Sequence, residues 1–232
     1  TVLYIFIDGA SFCADSREER KENVYFDSAM TLCPMIQDFA DTHAGMMPPI
    51  VFVVTKADLC KKYVREGEVI SVIKELFRPA FSQDTITYIS AISLGETISD
   101  DNYKGKLSPF NIHIPFFVGC YHEYCNRFAI LQKDIAVANG SWQATATSVE
   151  DYLMKEKRKW KLFRNPSLIA DYQKRISNAN NSIHQNQKLL QDAKEMLIRI
   201  GTHLEHESDD KNFFYFKDGR QMEFRDSDVR GN

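Results

Sequence analysis

The chain has 232 residues, enough for one large domain or two small ones. Its composition is 44% hydrophobic, with 16 Phe and 10 Tyr, which supplies a substantial core. A formal charge of −3 argues against a protein that holds nucleic acid by bulk electrostatics, and no apolar run approaches the roughly 20 residues of a membrane span. Five scattered cysteines, an odd number, read as reduced thiols in a cytoplasmic protein.

Val2 to Ile7 is an unbroken apolar run ending at Asp8 and Gly9. Because it does not alternate, it predicts a strand buried on both faces in the middle of a parallel sheet, its outer side supplied by a preceding segment, by a partner chain or by a re-covered edge. A polar stretch from Asp15 to Asn23 follows, and then Leu32, Ile36 and Phe39 recur at helical spacing. His43 to Pro49 reads as a loop. Ile50 to Val54 is a second buried strand, ending at Thr55 to Asp58. Val69, Val72, Ile73, Leu76 and Phe77 share one face of a helix that Pro79 closes. Thr85 to Ile89 is a third strand, ending at Ser90 and Ala91, and Gly95 to Pro109 reads as loop. Ile114 to Leu131 is an aromatic-rich helix with Pro115 in its first turn. Strand and helix alternating in this way imply a parallel α/β sheet, whose ligands bind at the carboxyl ends of the strands.

After Gly140 and Ser141, which read as a break, the pattern changes. Ser148 to Asp151 resembles a capping box opening a basic helix to about Phe163. Trp160 is expected to pack inward while the run Lys155 to Lys161 stays solvated. Asn165 as N-cap and Pro166 at the first position start another helix. Ile169, Ile176, Ile183, Leu190, Leu197 and Leu204 then recur every seven residues, with Tyr172, Ala179, Asn186, Ala193 and Ile200 between them. This heptad predicts an arm about 60 Å long over 166–206. Its seam either folds back on the preceding helix or joins a partner protein or a second copy. Asp218 and Gly219 between two apolar runs predict a β-hairpin. The expected organisation is an α/β domain over 1–135 and a helical arm with a terminal hairpin over 136–232.

Thr55, Lys56, Ala57 and Asp58, directly after a buried strand, resemble the guanine-specificity motif Asn/Thr-Lys-x-Asp of the P-loop GTPase superfamily, of the Ras-like and translation-factor type. A carboxylate accepts at once from the N1–H and N2 amine of guanine, which adenine lacks. The resemblance implies that Asp58 reads the base and that the Lys56 stem lies along it. Ser90 and Ala91 resemble the Ser-Ala-x loop of the same families, whose Ala amide meets guanine O6. The resemblance covers roughly residues 1–131 and the second half of that fold only. No Gly-x-x-x-x-Gly-Lys-Ser/Thr occurs in this sequence, so a phosphate cradle, Mg2+ coordination and any catalytic residue for GTP hydrolysis would lie outside it. The expected cofactors are GTP or GDP with Mg2+ held elsewhere. The expected protein is a guanine-nucleotide switch, and the alternative is a non-catalytic scaffold using the helical arm.

A further alternative starts from Tyr4 to Gly9, which resembles the opening strand of PIN- and NYN-type nucleases, where Asp8 would bind a divalent metal with other carboxylates. The spacing of Cys120, His122 and Cys125 fits an apolar helix face with Phe117, Tyr121, Tyr124 and Phe128 better than a zinc site.

Overall fold

A computed structural model describes residues 2–42, 47–82, 84–95, 108–159, 161–208 and 213–226, with the side chains of Leu162 and Ser208 excepted. The loops expected at His43 to Pro49 and Gly95 to Pro109, and the inward packing of Trp160, therefore lie wholly or mostly outside the described residues. The elements in chain order are β1 (Leu3–Asp8), α1 (Arg17–Val24), α2 (Met30–Thr42), β2 (Ile50–Thr55), α3 (Ala57–Cys60), α4 (Glu66–Leu76), β3 (Ile86–Ala91), α5 (His113–Arg158), α6 (Pro166–Ser208), β4 (Phe213–Lys217) and β5 (Arg220–Met222).

The chain forms two compact units. One combines Thr1–Glu123 with Arg199–Asn232, and the other is Tyr124–Ile198. The first unit holds a sheet in the order β1-β2-β3-β4-β5. β1, β2 and β3 are parallel, as expected, but β4 runs antiparallel to β3 and β5 antiparallel to β4. The sheet is thus mixed, not parallel throughout. The reason is that Phe213 and Tyr215 bury their rings beside Tyr88, so the hairpin grouped with the arm in sequence completes the sheet instead.

The polar stretch Asp15 to Asn23 turns out to be helical. The Ser16 hydroxyl caps α1 by accepting from the Glu19 amide, a strongly preferred N-cap arrangement. Arg20 is buried because its guanidinium bonds the Ala14 carbonyl and pairs with Glu68. A π-turn over Tyr25–Ala29 joins α1 to α2, one turn before Pro34. A helix that must absorb a proline without an N–H donor commonly distorts there.

β2 lies at the centre of the parallel portion and is buried from Ile50 to Val54. On one face of the sheet, Phe52 stacks on Phe81 and packs edge-on to Phe77, over Val69, Val72 and Ile73 of α4. Each such fully buried side chain contributes up to about 1.5–3 kcal/mol. On the other face, Tyr88, Tyr215, Phe213 and Phe224 gather around His122 and Tyr121 of α5. The buried stripe of α5 there is Ile114, Val118, Tyr121 and His122, whereas Tyr124 is exposed. β1 departs from the expectation of burial on both faces. Among the described residues it is the outermost strand, with Ile5 and Ile7 buried while Phe6 is 62% exposed. An edge strand has a neighbour on one side only, and the covering layer thins there.

The second unit is a helical pair. The break expected at Gly140 is absent, since α5 continues without interruption from His113 to Arg158. A helical glycine costs about 1 kcal/mol relative to Ala, which tertiary packing overrides. Ile135, Ala146, Val149 and Leu153 of α5 are buried, as are Ala179 and Leu197 of the heptad on α6. Asn186 donates to Asn139 at 2.9 Å, and Tyr152 stacks on Tyr172. At these positions the seam folds back on the same chain. Asn165 caps α6 as expected, accepting from the Leu168 amide, while its own amide donates to the buried Glu156 carboxylate. Lys155, Lys157 and Arg158 are solvated. No helix among the described residues is long and apolar enough to cross a membrane.

Burial drives His122 down to about 4 from an ordinary 6.5, and its Nε2 shares a 2.8 Å hydrogen bond with the Tyr88 hydroxyl. Below pH 6.5 the unfolded chain takes up a proton that the native state refuses. Stability therefore falls as pH drops from 6.5 towards 4, by roughly 3 kcal/mol over the whole window. Thermal melts of the wild type between pH 7 and 4.5 should show a progressive fall in Tm. His122→Gln, which cannot titrate, should start lower at pH 7 and follow a flatter acid profile.

Candidate functional site

At the carboxyl ends of the three parallel strands the backbone segments interlock. The Ile92 amide donates to the Val54 carbonyl at 2.8 Å and the Ala57 amide donates to the Ile92 carbonyl at 3.0 Å. These bonds carry β2–β3 pairing past the strand ends and hold the Thr55–Asp58 turn against the chain leaving β3. From the other side Gly9 presses on the same turn, and a Cβ placed on it would meet the Thr55 carbonyl oxygen at 2.1 Å. The Thr55 hydroxyl donates back to the Ile7 carbonyl at 3.3 Å.

Lys56, at the head of α3, sits in the left-handed region with φ 50° and ψ 39°. A side chain other than Gly, Asn or Asp is uncommon there, and such backbone concentrates at functional sites. Its ammonium donates to Asp8 at 2.7 Å. The Asp8 carboxylate also accepts from the Ala10 amide and so caps the turn after β1. Partial burial pushes the Asp8 carboxyl up, but the Lys56 and Ala10 bonds and the Lys56 charge together outweigh it and hold it below the usual carboxylate value. Asp8 is thus engaged by a cation and an amide, and among the described residues no group of three acidic side chains forms at these strand ends.

A cleft of about 430 Å³ opens at this junction, within the roughly 300–1,000 Å³ of small-molecule sites. Thr55, Lys56, Asp58 and Leu59 line one side, and Ile92, Ser93, Leu94 and Gly95 line the other, with Ile112 completing it. Asp58 faces Ser93 across the cleft rim, and the Ser93 hydroxyl donates to Asp58 Oδ1 at 2.6 Å. The same hydroxyl accepts from the Gly95 amide at 3.0 Å, so Ser93 orients the carboxylate while being held by its own turn. Gly95 adopts φ 117°, which side chains rarely tolerate. The turn is closed by paired bonds between Ser93 and Phe110, and the Lys61 ammonium lies 4.5 Å over the Phe110 ring.

Of the residues singled out in sequence, Thr55, Lys56 and Asp58 come together at the cleft. Ser90 and Ala91 do not line it. Ser90 is fully buried inside β3, opposite Val53 and Phe213, and Ala91 lines a smaller cavity with Val54 and Cys60. Ser93, Leu94 and Gly95 occupy the position that Ser90 and Ala91 were expected to take. The signal was present: the apolar β run extends to Ile92, and the first turn-forming glycine is Gly95, so the loop begins after Ile92. The Asp8–Lys56 pair and the contribution of Ile112 carry no sequence signature, because both arise from segments distant in the chain. Cys60 lies beneath the turn, and burial raises its thiol to about 12, which makes it inert as a nucleophile.

No family model, no curated protein and no solved structure matches the chain.

Gly9→Ala tests the junction. Its methyl group would collide with backbone, which cannot rotate away, so the variant should lose about 1–3 kcal/mol in urea unfolding. Gly67→Ala, where a Cβ meets nothing within 4 Å, should be neutral or stabilising.

Proposed function

We propose that this cleft reads a guanine base, with Asp58 accepting from N1–H and the N2 amine and the Lys56 stem lying along the ring. The observation that supports this is the Asp58–Ser93 pair at the rim of a cleft at the strand ends. The Ser93 bond fixes the direction of the Asp58 carboxylate at the rim. Leu59, Ile92, Leu94 and Ile112 supply an apolar lining for a flat heterocycle. The Ser93–Gly95 turn, in place of Ser90 and Ala91, forms the wall opposite Asp58.

The resemblance to P-loop GTPases suggests the wider role of a guanine-nucleotide switch. In this reading the chain contributes base recognition. Phosphate binding, Mg2+ coordination and hydrolysis of GTP belong to groups outside this sequence, which contains no Gly-rich phosphate motif. The chain is therefore expected to bind guanosine and GDP with similar, weak affinity.

Ligand-observed NMR and calorimetry on the 232-residue chain check this directly. Guanosine and GDP should bind in preference to adenosine and ADP by on the order of a hundredfold or more, because adenine leaves Asp58 facing an acceptor. Asp58→Asn presents an amide N–H where a lone pair stood. That variant should lose guanosine and gain affinity for xanthosine, whose C2 carries a carbonyl instead of an amine. Equal affinity for adenosine, or indifference to all four ligands, overturns the assignment.

A further inference from the structure

His113, His203 and Glu207 converge on one point in the first unit, each offering a ligand atom within 4.8 Å of the others. We propose that they bind a single zinc ion, independently of any nucleotide in the cleft. His113 opens α5. His203 and Glu207 stand four residues apart on the last turns of α6, a spacing that puts both on one helix face.

His113 Nε2 lies 3.6 Å from Glu207 Oε1, and His203 Nε2 lies 3.8 Å from the same oxygen. Both separations are too long for a hydrogen bond. They are close to the roughly 3.4 Å edge of a tetrahedron whose bonds to the metal are about 2.0–2.2 Å. His203 Nε2 is closed off from solvent and has no hydrogen-bond partner among the described residues. A buried ring nitrogen in that state is costly unless something completes it, and a cation between it and the carboxylate does so.

The rings are also held in place. Phe117, one turn after His113, packs edge-on against the His203 ring at 4.7 Å and against His113 at 5.9 Å. A helix carboxyl end carries partial negative charge, which favours a cation beside Glu207. Two imidazoles and one carboxylate suit zinc better than magnesium or calcium, which prefer all-oxygen shells. The His113 side chain is 48% exposed, so the ion has a path from solvent, and water completes the fourth position. The ion joins the start of α5 to the end of α6. Ile112, at the cleft, immediately precedes the first ligand.

The test uses the tag-free 232-residue chain, stripped of metal and titrated with Zn2+ by calorimetry, with Co2+ as a spectroscopic stand-in. One Zn2+ per chain should bind and raise Tm. Bound Co2+ should give visible tetrahedral bands without the near-ultraviolet thiolate band that cysteine ligands produce. His203→Ala and Glu207→Gln should each lower affinity by about tenfold or more, at least what loss of an outer-shell partner costs. Exposed His113→Ala should do the same with an unchanged circular dichroism spectrum, so that misfolding is not mistaken for ligand loss. His184→Ala, on the other unit, should bind as the wild type does. Absence of stoichiometric binding, binding indifferent to all three ligand variants, or a thiolate band overturns the proposal.

Discussion

The close approach of three chain segments at the ends of β1, β2 and β3 is the constraint from which the candidate site follows. Gly9 lets β1 exit directly over the Thr55 carbonyl, where any side chain would intrude. On the other side, the reciprocal bonds among Val54, Ala57 and Ile92 bring the two exits into register. With its neighbours fixed on both sides, the turn after β2 has little freedom, and Lys56 is carried into a left-handed conformation. Such a conformation persists where surrounding structure over-determines it. Asp58 then meets Ser93 because both turns are anchored in the same ladder, which fixes the direction of the carboxylate.

The sheet owes its completeness to the end of the described chain. β4 covers the open side of β3, and the residues that follow are pinned by Asp226, whose amide donates to Glu205 and whose side chain accepts from Tyr121 at 2.5 Å. Gly201 permits this approach, since a Cβ there would meet the Asp226 carboxylate at 2.6 Å. The start of α5 and the end of α6 are consequently both rooted in the α/β unit. His113 and the pair His203 and Glu207, ninety residues apart in sequence, share one locality for that reason.

The opposite edge is different in kind. β1 leaves Leu3, Tyr4 and Phe6 exposed in part, although the Tyr4 hydroxyl donates to the Pro115 carbonyl at 3.0 Å. Within the helical unit Ala179 and Leu197 of the heptad pack intramolecularly, whereas Ile169, Ile176, Ile183 and Leu190 are half-buried. A seam interrupted by Asn186 and two alanines suits a close pairing with α5, where Asn139 offers the amide a matching partner. A polar pair at such a seam specifies register at some cost in stability.

Sequence alone determined the three parallel strands, the buried face of α4, the start of α6 and the grouping of Thr55, Lys56 and Asp58. These depend on local composition and period: β-branched runs, helical spacing, a capping Asn before Pro, and a polar motif at a strand end. It did not determine that Phe6 of β1 would be exposed, that α5 would run through Gly140, or that Ser93 rather than Ser90 would face Asp58. Nor did it determine that the last hairpin would join the sheet, or that two distant histidines would meet a glutamate. Each of these was decided by tertiary structure, because each depends on which surfaces are left to bury and which donors are left to pair once non-neighbouring segments come together. Such pairings leave no periodic trace in the chain.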